Sequence, residues 1–213
     1  MAIERRGVLF VVSAPSGAGK TTLCKELVAS VPDVHPSVSY TTRKPRPGEV
    51  HGRDYYFVDE PAFQDMVQRN DFAESARVYD HFYGTPRQAL TDMMEKGLDV
   101  LLEIDTQGAM QIKKKFSDGV YIYILPPSID ALSARLVQRG DAPEDIQRRM
   151  QRARQEILNY REYDYIIRNE DLRRASQELQ AIVHAERARM KRVDINWLER
   201  NFIAEPQHKG ASS

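Results

Sequence analysis

The run Ser13-Ala14-Pro15-Ser16-Gly17-Ala18-Gly19-Lys20-Thr21-Thr22 directly follows the apolar stretch Gly7–Val12 and opens a segment with Leu23 and Leu27 at helical spacing. Strand, tight glycine loop and helix in that order point to an α/β fold and give the context of a nucleotide phosphate cradle. Gly17 and Gly19 let the backbone close around anionic oxygens, and the positive end of the following helix adds a fixed favourable field. Lys20 supplies a mobile charge for the β- and γ-phosphates, while Thr21, with Thr22 beside it, offers a hydroxyl to a magnesium shell. The pattern G-x-x-x-x-G-K-[ST] expects glycine where this chain has Ala14, so the match departs at its first position and is intact at Gly19-Lys20-Thr21. Taken alone, the segment also fits a glycine-rich turn with a solvated lysine.

The remaining chain pattern decides between these. At 213 residues the chain buries a full core without metal or disulfides, and the single Cys24 excludes an intrachain disulfide framework and fits a reducing compartment. Basic and acidic residues balance at 31 each, which argues against a nucleic-acid coat and leaves room for local arginine-lined anion pockets. No apolar span is long enough for a membrane helix, and the start Met1–Arg6 runs into a short strand rather than a secretion signal, so a cytoplasmic location is expected. The five histidines lack zinc-ligand spacing, and the surface pattern leaves self-association open.

Further along, an extended segment is expected around Ser37–Tyr40, followed by the proline- and glycine-broken Thr41–Glu49. Asp54–Val58 is β-favouring, Pro61–Gln68 forms a short helix with Phe63, Met66 and Val67 on its apolar side, and Arg77–Tyr83 reads as a small sheet edge. A mixed insertion is therefore placed at about 39–86. Helix Pro86–Lys96 stops at Gly97, strand Asp99–Asp105 leads into helix Gln107–Lys115, and strand Val120–Leu125 precedes a helix with Ile129, Leu132 and Leu136. Tyr163–Ile167 is the final strand, with Asn169 just beyond, and Leu172–Met190 the last long helix. This alternation favours a mostly parallel, three-layer α/β core. Arg135–Arg154 is rich in arginine and broken by Gly140-Asp141-Ala142-Pro143, the composition of a mobile cover or of two exposed charged helices. The tail after Trp197 turns polar, and its end, Gly210–Ser213, is expected to be disordered.

Ser13–Thr21, Ser39–Glu49, Gly52–Phe57, Tyr83-Gly84-Thr85 and Glu103–Gly108 together resemble guanylate kinase, a likeness extending to about Met190. The resemblance implies a P-loop nucleotide-kinase core (1–38, 87–134 and 155–190), a GMP-binding insertion at 39–86, a lid at 135–154 and a polar extension at 191–213. It implies ATP-dependent phosphorylation of GMP or dGMP, with magnesium and no covalent intermediate. Arg43, Arg46, Tyr55 and Tyr83 are implied around the GMP phosphate, where arginine forks and phenols donate several hydrogen bonds. Ser39, Glu74 and Thr85 are implied near guanine, the Glu74 carboxylate accepting from the ring nitrogen and exocyclic amine.

Glu103 and Asp105 alternate onto one face at a strand end, and the resemblance assigns them to the acceptor nucleotide, with Asp105 also organising magnesium-bound water. Glu103 stands where relatives often carry Asp. ATP is implied on Ala14–Thr22 with Arg135 and Asn169, and Lys20, Arg46, Arg139 and Arg149 are the implied catalytic groups. Two rivals are another small P-loop kinase with a different phosphorylated acceptor, and a silent interaction domain of the same shape; the intact Gly19-Lys20-Thr21 favours catalysis.

Overall fold

The protein is described by a computed structural model covering residues 5–78, 80–138, 140 and 142–203. Strand β1 (Leu9–Ser13) is buried along its whole length and is followed by helix α1 (Lys20–Ser30). Next come β2 (Val34–Pro36), β3 (Tyr40–Thr41), β4 (Tyr56–Phe57), α2 (Glu60–Gln68), β5 (Phe72–Val78) and β6 (His81–Pro86). The chain continues through α3 (Arg87–Glu95), β7 (Asp99–Glu103), α4 (Thr106–Lys115), β8 (Val120–Leu125), α5 (Ile129–Gln138), α6 (Pro143–Ile157), β9 (Tyr165–Arg168) and α7 (Leu172–Arg187).

The main sheet has the order β2-β7-β1-β8-β9, and all four of its pairings are parallel. Side chains alternate across a strand, so β1 feeds both layers. Phe10 and Val12 pack with Leu23 and Leu27 of α1 and Leu179 and Val183 of α7. Leu9 and Val11 pack on the other face with Leu90, Met94, Ile112, Tyr121 and Tyr123. Covering both faces is what a parallel sheet requires, and it explains the near-continuous apolar runs at β1, β7 and β8. Leu23 and Leu27 are fully buried, so truncating either to alanine costs about 2–5 kcal/mol. The loops at the carboxyl ends of these strands converge on one edge, the usual place for a ligand in such a sheet.

A second, mixed sheet has the order β4-β3-β6-β5, with β5 and β6 forming an antiparallel hairpin. In that hairpin Phe72 pairs with Pro86 and Glu74 with Thr85, so Ala73 is the extra residue of a β-bulge. Phe63 of α2 stacks on Phe72 and Phe82, giving this sheet an aromatic core of its own.

Several expectations need correction. The first extended segment after α1 is Val34–Pro36, an edge strand of the main sheet, rather than Ser37–Tyr40; it is only three residues long and two of them are exposed. Arg77–Tyr83 is not one edge but spans the end of β5 and the start of β6, because the bulge at Ala73 disturbs the alternation that would mark β5. The Asp54–Val58 strand shortens to Tyr56–Phe57. Val67 is exposed, leaving Phe63 as the buried anchor of α2. Strand β7 stops at Glu103 because Asp105 turns to cap α4, accepting from Gly108 N at 2.9 Å. After α7, a short helix at Ile195–Leu198 and a π-turn at Glu199–Ile203 follow, with Trp197 against Phe202. The expectations for Arg139, Asp141 and Gly210–Ser213 lie outside the described residues.

Candidate active site

At the carboxyl edge of the main sheet, the Ala14–Thr22 loop wraps over the start of α1 and borders a cavity of about 720 Å³. Gly17 and Gly19 have φ of 92° and 93°, a left-handed backbone that L side chains adopt at a cost. Gly19 is also constrained from outside: a Cβ there would stand 2.3 Å from Asn169 Nδ2. That amide donates to Ala18 O at 2.8 Å, and Arg135 donates to Asn169 O at 3.0 Å and to Ala18 O at 3.5 Å. Arg135 and Asn169, both expected at ATP, brace the loop through these bonds, and Arg135 also lines the cavity.

Lys20, the first residue of α1, donates to Ile104 O at 2.9 Å. The Thr21 hydroxyl donates to the Glu103 carboxylate. These two oxygens form a hard pair of the kind magnesium takes when phosphates and water complete its shell. No cluster of three or more His, Cys, Asp or Glu side chains able to hold a metal by themselves occurs among the described residues.

From the opposite wall α6 faces the loop. Arg149 Nη1 lies 3.4 Å from Ser16 Oγ, while Arg152 donates to Asp105 Oδ2 at 3.1 Å and to Glu156 Oε1 at 2.7 Å. Burial pushes the Glu156 carboxyl up, against the opposing pull of its Arg152 hydrogen bond. Sequence reasoning missed Arg152 and Glu156 as site residues. The available signal was helical spacing, since 149, 152 and 156 fall on one face of α6.

The second sheet forms the other side of the cleft, and Val78 at the end of β5 reaches the same cavity. Arg43 pairs with Glu49 through two hydrogen bonds of 2.8 and 3.0 Å, and its guanidinium stands 5.5 Å from the Tyr55 ring centroid. The pairing with Arg43 holds Glu49 below the usual carboxylate range. Tyr55 and Tyr83 lie ring to ring at 6.0 Å. Burial, reinforced by the Glu103 charge, pushes the Tyr55 phenol up to about 12, keeping it a donor at neutral pH. Arg46 is exposed at the rim, and its backbone N donates to Glu49 at 2.7 Å. Glu49 was not among the expected site residues.

Deeper in this sheet, Glu74 is 3% exposed and accepts from the Thr85 hydroxyl at 2.6 Å; Thr85 in turn lies 3.4 Å from Ser39 Oγ. Burial raises the Glu74 carboxyl to about 7, with Thr85 opposing and the Asp105 charge adding to the rise. The structure therefore brings Ser39, Glu74 and Thr85 together, and Arg43, Tyr55 and Tyr83 together.

A family model described as guanylate kinase matches residues 6–186. A guanylate kinase of Geobacter metallireducens is 50% identical over 192 residues, covering 90% of this chain and 95% of that one. One from Clostridioides difficile is 47% identical, covering 88% and 92%. The crystal structure of guanylate kinase from Anaplasma phagocytophilum superposes with a TM-score of 0.80 at 35% identity, over 96% of this chain and all of that one.

Proposed function

The chain belongs to the guanylate kinase family of enzymes, with the P-loop kinase architecture of its solved relative, and from that premise we propose that it transfers the γ-phosphoryl group of ATP to GMP or dGMP. The observation that carries the substrate assignment is the buried Glu74 carboxylate, held by the Thr85 hydroxyl. A carboxylate there accepts from guanine's ring N–H and exocyclic amine, a donor edge that adenine lacks. Ser39 supports the Thr85 hydroxyl from the far side.

In this reading residues 39–86 bind the acceptor, 135–154 form the lid, and the remaining 1–190 segments are the core. The acceptor phosphate sits among Arg43, Arg46, Tyr55 and Tyr83, and Arg43 exchanges its Glu49 partner for phosphate oxygens. The ATP phosphates lie in the Ala14–Thr22 cradle, with Lys20 released from Ile104 O to follow the moving charge. Arg149, whose guanidinium already lies next to Ser16, and Arg139 approach the γ-phosphoryl group from the lid. A GMP phosphate oxygen attacks the γ-phosphorus in line, the bond to the β-phosphate oxygen breaks, and ADP leaves. The acceptor is largely deprotonated near neutral pH, so no general base is needed. Lid closure excludes the water that would otherwise accept the group.

Magnesium would fit the all-oxygen pair of Thr21 and Glu103, with Asp105 as a further candidate to hold its water, and would supply charge neutralisation at the transferring phosphates. Among the described residues no helix is long and apolar enough to cross a membrane. The test is ADP production by the purified chain with ATP and magnesium across GMP, dGMP, AMP, CMP and UMP, alongside Lys20→Ala. Turnover confined to GMP and dGMP and lost in the variant is expected; equal turnover with AMP overturns the assignment.

A further inference from the structure

Glu74 faces Thr85 only because of the bulge at Ala73. A regular ladder continuing from the Phe72–Pro86 pair would set Ala73 opposite Thr85 and Glu74 opposite Gly84, turning the carboxylate to the other face of the sheet. The irregular register therefore needs support. Strand β5 is the edge of its sheet, so no further strand is available to supply it.

Helix α4 takes that place with side chains. Ser75 N donates to Gln111 Oε1 at 3.2 Å and Gln111 Nε2 donates to Ser75 O at 2.9 Å, so one amide side chain bonds the strand as a neighbouring strand would. One turn further on, Lys115 Nζ donates to Ala73 O at 2.6 Å. The residues on both sides of Glu74 are thus tied to the same helix. Gly108 completes the stripe at positions 108, 111 and 115: a Cβ there would stand 2.8 Å from Glu74 Oε2, so a larger residue would have to turn the carboxylate aside.

We infer that Gln111, assisted by Lys115, is a positioning residue for guanine selectivity: it holds the Ala73 bulge, and with it the direction of the Glu74 carboxylate, without touching nucleotide. This rests on the proposed reading of Glu74 as the acceptor of guanine's donors. Inosine monophosphate keeps the ring N–H and lacks the exocyclic amine, so the ratio of kcat/KM for GMP to that for inosine monophosphate reads the aim of the carboxylate.

The experiment measures that ratio, the KM for ATP and the thermal midpoint in wild type, Gln111→Leu, Lys115→Met and Glu74→Gln. Gln111→Leu is expected to lower the ratio about tenfold, a loss of about one charge-assisted contact, with the KM for ATP unchanged. Lys115→Met is expected to move the ratio the same way by a smaller factor, and it carries the test if Gln111→Leu does not fold. A ratio unchanged in both α4 variants while Glu74→Gln collapses it overturns the positioning role alone. Equal losses towards GMP, inosine monophosphate and ATP, together with a lowered midpoint, overturn it in favour of general loosening. An unchanged ratio in Glu74→Gln removes the base-recognition reading beneath it.

Discussion

In the proposed phosphate cradle the groups assigned to recognition are consecutive, the backbone amides and short side chains of residues 14–22 on one strand–loop–helix turn. In the proposed base pocket they are scattered: Ser39 precedes β3, Glu74 sits on β5, Thr85 on β6, and the groups that bond the strand on either side of Glu74 come from α4. The cradle's charge preference is fixed by helix and backbone dipoles and changes little with pH. The preference of the proposed base pocket would rest on one buried carboxylate, whose charge depends on what surrounds it. One region is thus specified by local geometry and the other by tertiary placement, and the two fail differently.

The largest effect is expected where the cradle's one mobile charge is removed. Lys20→Ala should lower kcat about 10²–10³-fold with GMP and dGMP alike, because the lost contact follows the transferring phosphoryl group rather than the base. A coupled ADP assay with circular dichroism checks it. A loss under tenfold in a folded variant would mean that backbone amides carry the cradle unaided, and would sharpen the contrast.

Glu74→Gln comes next. The amide is close in size but offers guanine an N–H where an acceptor is needed, so kcat/KM for GMP should fall by about 1.5–3 kcal/mol, or roughly ten- to a hundredfold. The KM for ATP should stay put. If both substrates suffer equally, the two regions are not separable and the comparison breaks.

The same contrast explains what could be read from the chain. The cradle is legible letter by letter despite Ala14, since backbone geometry needs only Gly17, Gly19 and the residues after them. The parallel core is legible because its strands are buried on both faces and read as apolar runs. β5 is not, since the extra Ala73 breaks the two-residue alternation at the functional residue itself. Glu74 is recognisable only through family resemblance, and Gln111, Lys115 and Arg152 not even so, because their partners lie 36, 42 and 47 positions away in sequence.

Titration gives a smaller effect confined to one region. In the proposed role Glu74 accepts from both guanine donors only when ionised, and burial with the Asp105 charge raises it to about 7, Thr85 and Lys115 pulling the other way. Lowering pH through 7 therefore protonates it and weakens GMP use; with a value near 7, kcat/KM should fall about tenfold from pH 8 to pH 6. The GMP phosphate titrates near 6 in every variant. The Glu74 contribution is then the difference between the wild-type and Glu74→Gln profiles, and superimposable profiles would show that the carboxyl does not titrate in this window.

Arg152 stands where the two regions meet, and its removal should give the smallest effect. From α6 it bonds Asp105, the cap of the same helix α4 whose next turns hold β5, and it bonds Glu156 on its own helix. These side chains are 26, 17 and 12% exposed, so water screens the pairs and each is worth about 1 kcal/mol, or about fivefold. If the cradle and the base pocket act independently, Arg152→Ala should lower kcat about fivefold and leave the ratio of GMP to inosine monophosphate use unchanged. A fall in that ratio comparable to the Gln111→Leu value would mean that the lid helix reaches Glu74 through Asp105 and α4. The lid would then act on the base pocket through α4, and the cradle would remain the only one of the three specified by local geometry.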